Sequence, residues 1–210
     1  MLELFEQVED DDSARMLAIT GAGAAFCIGL DHGVDPRLVE SLAVLSKPTV
    51  AIINGDAFDE GLELAMAADI RVAISSANFA ITQVKRGGMP HFGATQRLPR
   101  LIGPANALRL MLTGTALGAD DALRSGLVTY LADGPADLAA TSGRVCEAIL
   151  SRAPLAARLV KDAVLKGTDM TLDQGIRLEE DLYALLQTTA DRAEGVRAFL
   201  EKRKPLFRGA

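Results

Sequence analysis

Short apolar runs alternate with stretches of helical spacing up to about residue 135, after which helical spacing continues alone. Thr49 to Ile53 and Ile70 to Ile74 are apolar and β-branched with no polar alternation, the pattern of strands buried on both faces. Asn54, Gly55 and Asp56 stop the first of them. Gly61 to Ala68, with Leu62, Leu64, Ala65 and Met66, reads as a short helix that Asp69 closes. Strand, turn, helix and strand in this order place a helix N-terminus just past the end of a buried strand. Free N–H groups and the positive end of the helix dipole meet there, which suits a developing negative charge. Glu63 lies in the first turn of that helix. Its carboxylate either steadies the turn or does chemistry, since both draw on the same dipole.

The rest of the chain extends the pattern. Leu2, Leu4, Phe5 and Val8 give one apolar side of an opening helix closed by Asp10 to Ser13, and Met16 to Thr20 reads as a buried strand. The apolar segment Ala24 to His32 ends in a glycine turn. Pro36 to Leu45 reads as a helix with Val39, Leu42, Ala43 and Leu45 inward. Phe79 to Ile81 follows the turn at Ser75 to Asn78, and Gln83 to Thr95, rich in glycine, reads as a long shaped loop. Helical pieces at Gln96–Ile102, Pro104–Thr113 and Ala119–Ser125 precede a strand at Gly126 to Leu131. Ala136–Ser151, Pro154–Leu165, Leu172–Thr188 and Arg192–Lys202 are helical. The class is α/β, with residues 1–135 as core and 136–210 as a helical region whose apolar faces need a cover.

Composition narrows the partners. The 210 residues carry a net charge of −6 and only 4% aromatics, which leaves no phosphate footprint or base-stacking surface and argues against nucleic acid. Cys27 and Cys146 are the only cysteines, too few for a disulfide framework or a cysteine zinc site. His32 and His91 make no metal centre on their own, and a solvated or structural role is their default. The acidic start lacks a secretory pattern and no apolar run reaches membrane-spanning length, so the expected place is the cytoplasm, away from membranes.

Five segments in order resemble the enoyl-CoA hydratase/isomerase, or crotonase, family: LAITGAGAAFCIGLD, KPTVAIINGDAFDEGLELAMAADIRVA, QVKRGGMPHFGATQRLPRLIG, LTGTALGADDALRSGLV and FLEKRKPLFRG. The resemblance implies a spiral of ββα units and a helical trimerisation region that also covers the active site. It implies homotrimers or hexamers and an acyl-CoA thioester substrate, with coenzyme A as part of the substrate and no separate cofactor or metal. Relative to the family, a β unit ahead of the opening helix is missing, and the segment between His32 and Leu45 is short. By position, the oxyanion donors are the backbone N–H groups of Leu30 and Glu60. Glu63 matches the first catalytic carboxylate, and Gln83 stands where a hydratase has the second. The glycines usual before the helix are here Asp59-Glu60-Gly61. Coenzyme A contacts fall on Cys27, Gly29 and Asp31, and on Lys202 and Lys204 in the tail, where an ordinary solvated helix end is the alternative.

Three readings follow. The first is a hydratase or isomerase with Glu63 as acid/base and Gln83 holding water, since Gln bonds water but moves no proton near neutral pH. The second is an acyl-CoA-binding member with little turnover, to which Gln83 and the Asp59-Glu60-Gly61 replacement point. The third is a family hydrolase with Asp59, Glu60 or His91 as extra polar groups.

Overall fold

A computed structural model of the protein describes residues 1–30, 34, 35 and 37–210. They form two compact units, one of Met1–Asp11, Leu17–Leu45 and Thr49–Val145, the other of Asp12–Met16, Ser46–Pro48 and Cys146–Ala210.

The first unit begins with α1 (Leu2–Asp10), β1 (Leu17–Thr20) and α2 (Arg37–Ala43). Then come β2 (Thr49–Ile53), β3 (Ala57–Phe58) and α3 (Glu60–Ala67). The next round is β4 (Ile70–Ile74), β5 (Asn78–Ala80), a 3-10 turn over Gln83–Arg86, α4 (Ala94–Ile102) and α5 (Pro104–Thr113). It finishes with β6 (Leu117–Gly118), α6 (Ala119–Ser125) and β7 (Tyr130–Ala132), before α7 (Pro135–Leu150) runs on to the second unit.

One sheet is parallel throughout, in the order β1-β2-β4-β7; the other runs β3-β5-β6 with β6 antiparallel to β5. A bridge from Cys27 to Ala57 carries the second layer back to the segment after β1. Each round of chain thus gives a strand to one layer, a short strand or bridge to the other, and then a helix. This is the expected ββα spiral. Its interior strands β2 and β4 are almost wholly buried, as their unbroken apolar runs require.

A cluster of Phe5, Leu38, Val39, Leu42, Leu45, Leu64, Ala67 and Phe92, with Leu30 packed against it, joins α1, α2 and α3 to the segment before α4. Fully burying one such side chain is worth about 1.5–3 kcal/mol. The same cluster therefore fixes the backbone on either side of Glu63, at Leu30 and at Phe92.

The structure corrects several expectations. β1 alternates between partly exposed and exposed positions and pairs only with β2, so it is a sheet edge and not a buried strand. Gln83–Thr95 is not one loop: its first residues wind into the 3-10 turn and its last two open α4. Of Gly126–Leu131 only Tyr130 and Leu131 are strand, while Leu127 and Val128 are buried in the turn before it. Asp31, His32 and Pro36 lie outside the described residues.

The second unit holds the end of α7, then α8 (Pro154–Gly167), α9 (Leu172–Gln187) and α10 (Ala190–Leu200). Thr171 and Gln174 form a capping box that starts α9. The buried Asp191 accepts the N–H groups of Arg208 and Gly209 at 2.7 and 2.8 Å, tying the tail to α10. Arg203 grips Glu194 through both carboxylate oxygens at 2.6 and 2.9 Å and holds that carboxyl down at about 2. Neither α8 nor α9 has a buried residue, and Leu172 and Phe199 are 79% and 83% exposed. Among the described residues no helix is long and apolar enough to cross a membrane.

Candidate active site

The site is built where α3 presses on the segment that follows β1. Gly61 makes the approach feasible: a Cβ there would lie 2.0 Å from the Cys27 carbonyl oxygen. The contact brings the first turn of α3 against residues 27–30. Phe58 N–H donates to the Cys27 carbonyl at 2.9 Å and locks the two segments in register. Leu30, whose side chain is anchored in the core cluster, and Glu60, the first residue of α3, offer the two backbone N–H groups named from the sequence. Neither N–H donates to a backbone carbonyl of the described residues. Gly29, at φ +136°, lets the chain turn into this position.

Glu63 is fully buried. Its Oε1 accepts two backbone N–H groups, from Phe92 and from Ala94, each at 2.9 Å, and Ala94 is the first residue of α4. Its Oε2 is buried with no protein partner. Burial pushes the Glu63 carboxyl above the ordinary range, the Ala94 and Phe92 amides and the charge of His91 pull it back, and the charge of Glu60 adds to the rise. Burial wins. With Oε1 committed to two donors, a proton on this group belongs on Oε2, the atom left to bond something other than protein.

Arg97 keeps the two donors in place. It donates to the Phe92 carbonyl at 2.8 Å and pairs with Glu40 at 3.1 Å. The Phe92 and Ala94 donors were not legible from the sequence.

Gln83 is 6% exposed, at the start of the 3-10 turn. Its Nε2 donates to Glu60 Oε1 at 3.4 Å, and its own Oε1 is buried without a partner. The other carboxylate oxygen of Glu60 lies 3.5 Å from where a Cβ on Gly29 would be. The Glu60 side chain therefore turns into the site, between Gly29 and Gln83.

Asp59 has a different task from the extra polar chemistry anticipated for it. Its carboxylate accepts the Thr82 N–H, the Thr82 hydroxyl at 2.7 Å and the Arg86 guanidinium at 3.0 Å. These bonds tie the start of α3 to the turn that carries Gln83. They hold Asp59 at φ 50°, ψ −120°, a conformation glycine would adopt more freely. His91 is exposed, with its ring 4.2 Å from that of Phe92, and its charge acts on Glu63.

Among the remaining residues, the Cys27 thiol donates to the Gly29 carbonyl at 3.3 Å. Lys202 and Lys204 belong to the second unit and are exposed in the turn after α10. The structure thus brings Leu30, Glu60, Glu63, Gln83, Gly29, Cys27 and His91 into one neighbourhood of the first unit. Two backbone N–H groups with no backbone partner among the described residues, a buried carboxyl and an amide are groups that can hold a carbonyl oxygen and move a proton beside it.

Comparison with known proteins agrees with the fold and with the resemblance read from the sequence. The family model described as "Enoyl-CoA hydratase/isomerase" matches residues 1–210. The chain is 38% identical to (E)-benzylidenesuccinyl-CoA hydratase of Thauera aromatica, over 100% of this chain and 88% of that protein. It is 37% identical to crotonyl-CoA hydratase of Syntrophomonas wolfei, over 95% of this chain and 83% of that protein. The crystal structure of enoyl-CoA hydratase from Bacillus anthracis superimposes with a TM-score of 0.94 at 34% identity, covering 99% of this chain and 86% of that one.

Proposed function

The chain belongs to the enoyl-CoA hydratase/isomerase family, and from that premise we propose how its site turns over an acyl-CoA thioester. It is an acyl-CoA-processing enzyme of hydratase/isomerase type. The thioester oxygen sits on the N–H groups of Leu30 and Glu60, which stabilise the negative charge that appears when the α-carbon changes its bonding. One such donor is typically worth about 10²–10³ in rate. Glu63 carries the proton to or from the carbon beside the thioester through Oε2. Gln83 accepts a hydrogen bond from the water to be added and orients it.

The observation that carries this reading is the division of labour within Glu63. Oε1 is held by two backbone donors while Oε2 is buried and unpartnered. A carboxyl that only steadied a helix turn would leave no buried oxygen without a partner. Cys27 and Gly29 line the approach of the thioester. The exposed cations Lys202 and Lys204 are offered to the phosphates of coenzyme A. The uncovered apolar residues of α8 and α9, with Phe199 of α10, are packed in a homotrimer or hexamer.

Mixing the protein with crotonyl-CoA and following the enoyl thioester absorbance tests the enzymatic reading. Decay of the absorbance is the expected result. Saturable binding with no decay would instead make the protein an acyl-CoA-binding member of the family.

A further inference from the structure

The second unpaired oxygen of the site raises a question that Glu63 alone does not answer. Adding water to a carbon–carbon double bond requires a group that takes a proton from water as well as one that gives a proton to carbon. Gln83 cannot take that proton. Its amide instead donates to Glu60 Oε1, which leaves the buried Gln83 Oε1 as an acceptor on the same side chain. The second oxygen of Glu60 lies beside Gly29, the residue that precedes one oxyanion donor. Glu60 is also the residue whose own backbone N–H is the other donor.

We propose that Glu60 is the second acid/base residue of this enzyme, a carboxylate supplied from the first turn of α3 and held in place by the Gln83 amide. The inference rests on the reading of the site given above. In it the catalytic pair is Glu60 and Glu63, three positions apart on one helix and on neighbouring parts of its surface. Their surroundings differ: Glu63 is fully buried, whereas Glu60 is partly exposed and accepts a hydrogen bond from the Gln83 amide.

The step balances. A lone pair of the water oxygen forms a bond to the β-carbon, and the proton of that water passes to the Glu60 carboxylate. The π electrons of the double bond move onto the thioester oxygen at the Leu30 and Glu60 N–H groups. When the enolate collapses, its electron pair returns to the α-carbon, which takes the proton of Glu63 Oε2. Once the product has left, one proton passes from Glu60 to Glu63 by way of water in the vacated site and restores the starting state. A negative charge on Glu60 would oppose an enolate so close to it. In hydration the charge leaves Glu60 as the enolate forms, so the two are not present together in that step.

The test uses three variants and two readouts: hydration of crotonyl-CoA, and exchange of the α-protons of butyryl-CoA with D2O. The second needs the oxyanion hole and Glu63 but adds no water. Glu60→Gln keeps the shape and the backbone N–H. The expected result is hydration lowered by about 10² or more, the usual scale of a lost proton-transfer group, with α-exchange no more than a few-fold below wild type. The double variant Glu60→Gln/Gln83→Glu, which moves the carboxylate to the neighbouring side chain, should regain hydration to within about tenfold, with a changed pH profile. Wild-type hydration in Glu60→Gln overturns the proposal. So does parallel loss of hydration and exchange, which would mean a merely structural role, and so does a double variant no better than the single one. Failure of the underlying reading looks different: wild type would show neither reaction, or Glu63→Gln would retain both, and the proposal would fall with it.

Discussion

Glu63 is where burial and function pull against each other. Its folded-state carboxyl is raised above its ordinary value of 4.5, chiefly by burial, so the folded chain binds this proton more tightly than the unfolded chain does. The sign follows by linkage: the contribution to stability is present below about pH 4.5 and is lost as pH rises through the raised folded value. Glu63→Gln removes that loss while its amide oxygen can still accept the Phe92 and Ala94 N–H groups. The variant should therefore gain thermal stability over wild type at pH 8, by about 2–4 °C for each kcal/mol regained, and gain little at pH 4. Melting curves at the two pH values check this. An equal difference at both would show that the buried charge does not govern stability here. Glu63 was legible in the sequence because its place in the first turn of a helix is a local property. The amides that hold it were not, since they come from 29 and 31 positions further along. Nor was the direction of the Glu60 side chain, which depends on Gln83 from a different round of the chain.

At the scale of elements, the site depends on α3 meeting the segment after β1 and the 3-10 turn at fixed distances. Gly61→Ala would place a methyl group on the Cys27 carbonyl oxygen and force the helix away from Leu30. Both oxyanion donors would lose their alignment, and hydration should fall by about 10²-fold or more. Retained activity would mean that the contact is not what sets the hole. Asp59 is the second control. Asp59→Gly relieves a backbone strain of about 1–3 kcal/mol but removes charge-assisted bonds to Thr82 worth about 1.5–3 kcal/mol each. The bond to Arg86 adds little, because that guanidinium is 66% exposed. The bonds outweigh the strain, so the variant should unfold at lower urea concentration and hydrate more slowly. A higher urea midpoint would reverse the ranking of the two effects. The long strands β2 and β4 and most helices were readable from apolar spacing. The two-residue strands β3 and β6 were not, because a run so short has no period. The burial of β1 was misjudged for a related reason: apolar content does not say whether a strand has neighbours on one side or two.

For the whole molecule, the helical region has more apolar surface than its own packing covers. Tyr183 and Leu185 of α9 and Leu200 of α10 are mainly exposed, alongside Leu172 and Phe199. Residues of this kind on successive helices suit the subunit contacts proposed above. Sedimentation at micromolar concentration should give a trimer or hexamer, and a monomer alone would contradict the proposed assembly. The helices themselves were plain in the sequence, because their spacing is local. What covers them is not written in that spacing.

The proton that Glu63 moves is the centre of this account, and it is observed most directly as isotope exchange. Butyryl-CoA incubated with the protein in D2O should gain deuterium at its α-carbon, followed by NMR, without any addition of water. Glu63→Gln should slow that exchange by about 10²–10⁴, the usual contribution of a general acid/base group, while acyl-CoA affinity stays within a few-fold because the backbone donors and coenzyme contacts remain. Exchange at the wild-type rate in Glu63→Gln would contradict the account and remove Glu63 from the chemistry.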